Sequence, residues 1–142
     1  MRLTRRRCKV LATAWLVLPA VGCSDTVQLG TVSGTVTQGG KPCDSILVNF
    51  MPDPSMKQPA AMSSAITDDD GRYTLRYQGD GKPTGAAIGR HIVIVNDLAP
   101  ENFRGSGAPP GSRVIPDWMD PAKSPFRFEV QPGDQTIDLK LD

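Results

Sequence analysis

One histidine, three cysteines and an aromatic share of 6% are what this 142-residue chain offers for metal, thiol and ring chemistry. A zinc site draws three or four ligands, mostly from His and Cys, and His91 stands alone. Ser-based catalysis needs a base beside the nucleophile. No G-x-S-x-G occurs, and Ser106 among Gly105 and Gly107 reads as flexible loop. No apolar run is long enough to span a bilayer core about 30 Å thick as a helix. The longest, Val10 to Gly22, has 13 residues. Net charge is scarce as well, at +1 from 16 basic and 15 acidic residues. That near balance hides an asymmetry. Arg2, Arg5, Arg6, Arg7 and Lys9 precede every acid, so the chain beyond residue 22 carries 11 basic and 15 acidic groups, a net of −4. Nucleic acid binding runs on clustered Lys and Arg, and this distribution argues against it.

What is present at the N-terminus is an address. A basic stretch to Lys9 and the short apolar run lead into Leu18-Pro19-Ala20-Val21-Gly22-Cys23-Ser24, the three-part layout of an export signal. Small residues before a cysteine resemble a bacterial lipobox, with Ala20 where leucine is usual. The resemblance implies a signal peptide over 1–22, cleavage before Cys23, and lipid on that cysteine. The alternative is an ordinary secretory signal that leaves Cys23 as a plain thiol. Each buried methylene of such an anchor contributes about 0.8 kcal/mol, and stable retention takes more than one chain. Arg5-Arg6 suggests twin-arginine export, but Arg7-Cys8-Lys9 departs from that pattern and reads as signal charge. Ser24 rather than aspartate after the cysteine favours the outer membrane, facing the periplasm or the cell surface.

Beyond residue 25 nothing reads as an amphipathic helix. The chain's 14 glycines and 13 prolines punctuate short apolar segments. Thr31–Thr37, Ile46–Met51, Ser63–Thr67, Arg72–Tyr77, Arg90–Val95, Phe126–Val130 and Thr136–Leu141 are the expected strands. Tyr73, Leu75 and Tyr77 share one face of theirs, and Arg90–Val95, apolar on both faces, is expected to be central. Gly39-Gly40 and Asp68-Asp69-Asp70-Gly71 supply turns. Seven such strands imply an all-β sandwich over 31–142, with residues 23–30 as lipidated cysteine and spacer. Asn96 to Ser124 is a loop of a length usually functional or mobile.

Val32-Ser33-Gly34-Thr35-Val36 with Gly40-Lys41-Pro42 resembles the opening of carboxypeptidase regulatory-like domains. Thr67 to Tyr73, Gly89 to Val95, and the run from Ile115-Pro116-Asp117-Trp118 to Gln131-Pro132-Gly133 continue the likeness. The whole is similar to small lipoproteins of this kind in planctomycete bacteria, where the Trp118 position more often holds tyrosine. The resemblance implies a seven-stranded transthyretin-like (prealbumin-like) sandwich, used as a binding or structural module of the cell envelope. The metallocarboxypeptidase domain beside which such modules occur is absent, so no enzyme activity and no cofactor are expected.

The remaining candidates divide between chemistry and packing. His91 is a lone acid or base, or a strand-entry residue packed on a neighbour. Cys43 is either a small apolar residue at a turn or an unpaired thiol open to an intermolecular bridge. Asp68, Asp69 and Asp70 invite calcium, but position twelve from Asp68 is Gly79 and an EF-hand requires a glutamate there, so no metal site is expected. Trp118 in its loop either plugs the core edge or awaits a partner. The expected contact residues are Trp118, Met119, Arg104 and Arg113, with an envelope protein or a glycan as partner. A carbohydrate-binding module using Trp118 is the alternative reading, and an enzyme built on a carboxylate pair has acids available but no diagnostic spacing.

Overall fold

The computed structural model describes residues 26–56 and 59–142. Two sheets enclose one core. In the first, β1 (Leu29–Gln38) is the spine. Along one edge it pairs antiparallel, in succession, with β7 (Ala86–Ala87), β5 (Arg72–Thr74) and β2 (Lys41–Pro42). Along the other it pairs parallel with β10 (Asp134–Thr136) and β11 (Leu139–Lys140). The second sheet is antiparallel, in the order β6 (Arg76–Tyr77), β4 (Ser63–Ile66), β3 (Ile46–Pro52), β8 (Gly89–Asp97), β9 (Arg127–Val130).

Alternation along the strands decides what lies between the sheets. Val32 and Val36 from β1, Ile46, Val48 and Phe50 from β3, and Val93 and Val95 from β8 are fully buried. Tyr73, Leu75 and Tyr77 point inward as their period of two requires. The expected strand Arg72–Tyr77 is nevertheless two strands. Its first half pairs with β1 and its second with β4. At the changeover the Leu75 N–H donates to Val32 O (2.9 Å), while Leu75 O accepts from the Gly85 N–H (2.8 Å). One run of chain thus joins both sheets at a corner.

The last expected strand is also interrupted, at Ile137–Asp138. Here the Asp138 carboxylate, in place of a main-chain carbonyl, accepts the Thr35 N–H (2.8 Å) and the Thr35 hydroxyl (2.9 Å). Opposite this break, a Cβ on Gly34 would meet Ile137 O at 1.9 Å, so only glycine fits. The buried Tyr73 hydroxyl donates to the same carbonyl.

The acidic hairpin closes by local hydrogen bonding. Asp68 Oδ1 accepts the N–H groups of Asp70 and Arg72 at 3.0 and 2.8 Å. Gly71 takes φ +70°, where a Cβ would lie 2.7 Å from Val36 O. Two short strands, β2 and β7, were not expected from sequence. β8 runs between β3 and β9, with His91, Val93 and Val95 buried inward and Ile92 and Ile94 half-buried outward.

The sandwich has two ends. β1, β3, β4 and β8 all run between them, and ten residues of β1 span about 30 Å at strand rise. At the entry end lie the start of β1 with β7, the end of β3 and the start of β8. At the other end Gln38, Ser45 and Asp97 come together, with the Leu98 N–H donating to Ser45 O at 2.9 Å. Among the described residues no helix is long and apolar enough to cross a membrane.

Candidate functional site

The segment from Leu98 to Pro125 leaves the sandwich at the end of β8 and returns along that strand's flank before β9. It holds two short helical turns, Ala99–Asn102 and the 3-10 helix Pro116–Met119, and the latter packs against β8. Pro116 opens the second turn and Pro100 is the second residue of the first, since the fixed φ of proline suits the first turn of a helix.

Arg113 pins the outgoing limb. Its Nε donates to Asp97 Oδ2 (2.9 Å) and one Nη to Asp97 Oδ1 (2.7 Å), the paired geometry guanidinium and carboxylate favour. The same Nη donates to Asp44 O (2.7 Å), the other to Asp44 Oδ1 (3.1 Å). The Arg113 N–H donates to Asp97 Oδ2 (2.8 Å), and Gln38 Nε2 donates to Arg113 O (3.1 Å). The Asp97 side chain is completely buried, while that of Arg113 keeps 26% of its surface. Burial alone would push the Asp97 carboxyl up, but the hydrogen bonds from Arg113 and from the Ala99 N–H outweigh it and hold it below its ordinary value. Asp44 is lowered chiefly by its hydrogen bond from Arg113, and Arg113 is raised in turn, first by Asp97. Arg113 therefore ties the starts of β3 and of the loop to the end of β8, and Val114 beside it is buried in the core.

Ser124 pins the returning limb. Its buried hydroxyl donates to Val93 O, and the Val93 N–H donates to Phe126 O (2.9 Å). Between the two pins Trp118 is half-buried against the core, its ring 5.8 Å from that of Phe126 and tilted by 60°. Met119 and Ile115 are exposed at 44% and 49%, and Phe103 at 37%. Arg104 lies on the surface, one Nη donating to Glu101 O and Phe103 O. Of the four expected contact residues, Met119 and Arg104 are thus on the surface and Trp118 is half-buried, while the Arg113 fork is spent inside the molecule. Asp97, Asp44 and Ser124 carry this arrangement and were not singled out from sequence. The only signal was an acid two residues after the apolar run Ile92–Val95. Cys23 lies outside the described residues.

His91 is 1% exposed. Its Nδ1 lies 2.9 Å from Gly89 O, its ring is 5.9 Å from Phe50, and Nε2 is buried with no hydrogen-bond partner among the described residues. Burial lowers its pKa. Cys43 is a free thiol, 3% exposed within the core, and burial raises its pKa despite Arg113 nearby. On the outer face of the second sheet, Arg90 and Arg127 share a groove of about 340 Å³ with Asp53 and Glu129. Its charges compensate one another. Among the described residues no three His, Cys, Asp or Glu side chains are grouped to hold a metal ion.

No protein-family model, curated protein or solved structure matches the chain.

Proposed function

We propose that this chain is a lipid-anchored, non-catalytic lipoprotein whose sandwich serves as a binding or structural module of the cell envelope. With β5 and β6, and likewise β10 and β11, each counted as one interrupted strand, and the two-residue strands β2 and β7 set aside, seven runs remain, which supports reading the sandwich as transthyretin-like, of the carboxypeptidase regulatory-like kind. Lipid on Cys23 supplies the anchor. The observation that carries the binding reading is the loop fixed at both limbs. Arg113 and Ser124 hold it to β8, and Ile115 and Met119 remain exposed between them. A pre-ordered loop loses little entropy on contact, so exposed apolar side chains on it are suited to an interface.

Crosslinked co-isolation from the native envelope tests this. Ile115→Asp with Met119→Asp is expected to abolish recovery of a discrete partner while melting stays unchanged, because both side chains are exposed. Cys23→Ala is expected to reduce recovery by releasing the domain from the membrane. Undiminished recovery from the double variant would refute the loop as the contact. Retarded migration in polysaccharide gels, lost in Trp118→Ala, would instead select the carbohydrate-binding reading.

A further inference from the structure

Three grooves, of about 330, 260 and 330 Å³, gather at the entry end of the sandwich. The first two share Thr26 and Val27 as lining, so the chain enters the fold between them. Met56 is common to the first and third and sits on Gly89, where a Cβ would touch its methyl at 2.8 Å. Pro54 and Pro59 line the third groove on exposed chain, and Met62 nearby is 40% exposed. The Gln78 N–H donates to Met62 O and the Tyr77 hydroxyl accepts the Ala61 N–H, so both loops of this end are held together. Charges here are mixed. By sequence, the segments that meet here carry Asp25, Asp53 and Asp80 against Lys57, Lys82 and Arg90, with no excess of either sign.

The position of Cys23 turns this end into a surface with a defined neighbour. Only Ser24 and Asp25 separate Cys23 from Thr26, and three Cα steps reach at most about 11 Å. A lipidated Cys23 lies at the bilayer surface, so Thr26, where the chain enters this end, stays within that distance of the headgroups however the domain tilts. We propose that this end is a membrane seat, in which Pro54, Met56, Pro59 and Met62 rest on a phospholipid bilayer. This rests on the lipid-anchor reading of Cys23. Methionine is suited to the role, because its flexible thioether adapts to an irregular apolar boundary. The balanced charge makes the contact apolar rather than electrostatic, so it holds on zwitterionic lipid and in high salt. Seating this end directs the Arg113 end, about 30 Å away along β1, toward the aqueous side.

Trp118 is the one tryptophan after Cys23, which makes the test clean. The processed chain from its native envelope is reconstituted into phosphatidylcholine vesicles, with or without bromine on the acyl chains. A Met62→Trp, Trp118→Phe chain is expected to lose emission in the brominated vesicles, at low and high salt alike. The unaltered chain, reporting from Trp118, is expected to keep its emission. Amide exchange on the unaltered chain provides a readout that needs no substitution, and protection on vesicles is expected at Ala60–Met62 and not around Phe103. Equal quenching at both positions, or none at residue 62, overturns the seat. Intact mass and flotation separate the two ideas. A chain that carries lipid and floats, yet shows no quenching or protection at this end, refutes the seat alone. A chain without lipid, floating no better than Cys23→Ala, refutes the anchor reading and the seat with it.

Discussion

Asp97 makes a large claim on stability, because its side chain is entirely out of water and its charge is answered by one guanidinium. Removing one partner of such a pair strands the other, at a cost of about 3–5 kcal/mol. Since Arg113 keeps some solvent contact, Asp97→Ala is expected to fall at the low end, roughly 3 kcal/mol in denaturant unfolding. The pH sign follows from the lowered carboxyl. Its stabilisation is present above the unfolded value, about 3.9, and is lost as pH falls through the folded value. Titration of His91 acts at higher pH. Its folded pKa is lowered, so the unfolded chain binds the proton more readily and stability declines as pH drops below about 6.5. Comparing melting temperatures at pH 7 and pH 5 for the unaltered chain and His91→Leu should show a smaller decline in the variant. Cys43 has a buried thiol raised in pKa, so thiol reagents should modify a Cys8→Ala, Cys23→Ala chain only as fast as it unfolds. Rapid labelling under native conditions would contradict the burial.

At the scale of elements, the period of two was legible wherever a strand stays in one sheet. β1, β3 and β8 were each recognisable to within a few residues, because Val, Ile and Phe alternate with a polar or half-exposed face. The two interruptions were not legible. Whether Leu75 or Ile137 continues its ladder depends on partners far off in sequence, and the Asp138 carboxylate sits opposite Thr35 across 103 residues. β2 and β7 escaped notice because two-residue strands carry no period. The Arg113 end was hidden for a related reason, since nothing local marks which of 16 basic residues meets a buried acid. Gly34, quoted from sequence only as part of a motif, proves to be a site of backbone contact. Gly34→Ala should cost on the order of 1–3 kcal/mol or more, as overpacking does, measured by thermal unfolding. A neutral effect would mean that the Ile137 carbonyl moves aside freely.

For the molecule as a whole, both ends are built from loops but differ in how they are held. Ion pairs, a serine hydroxyl and a buried valine fix the Arg113 end, whereas grooves and exposed proline and methionine characterise the entry end. The strand β1 begins at Leu29, two residues earlier than the alternation suggested. On the lipid-anchor reading, that shortens the spacer after Cys23 to Ser24–Gln28, at most about 18 Å when extended. A domain on so short a tether samples few orientations, which favours a contact whose geometry relative to the membrane is fixed. Lengthening the spacer by about ten flexible residues, roughly 18 Å of added mean reach, should therefore weaken partner recovery without changing the melting temperature.

β1 also sets a kinetic order. It is the earliest strand in sequence among the described residues, yet one edge of it pairs with β10 and β11, the last two described strands. Pairings between such distant segments form slowly. Until they form, β1 presents an open row of donors and acceptors to any neighbouring chain. The first sheet therefore stays incomplete until the C-terminal strands dock, and the exposure of β1 to mispairing lasts from its own formation to the docking of β10 and β11.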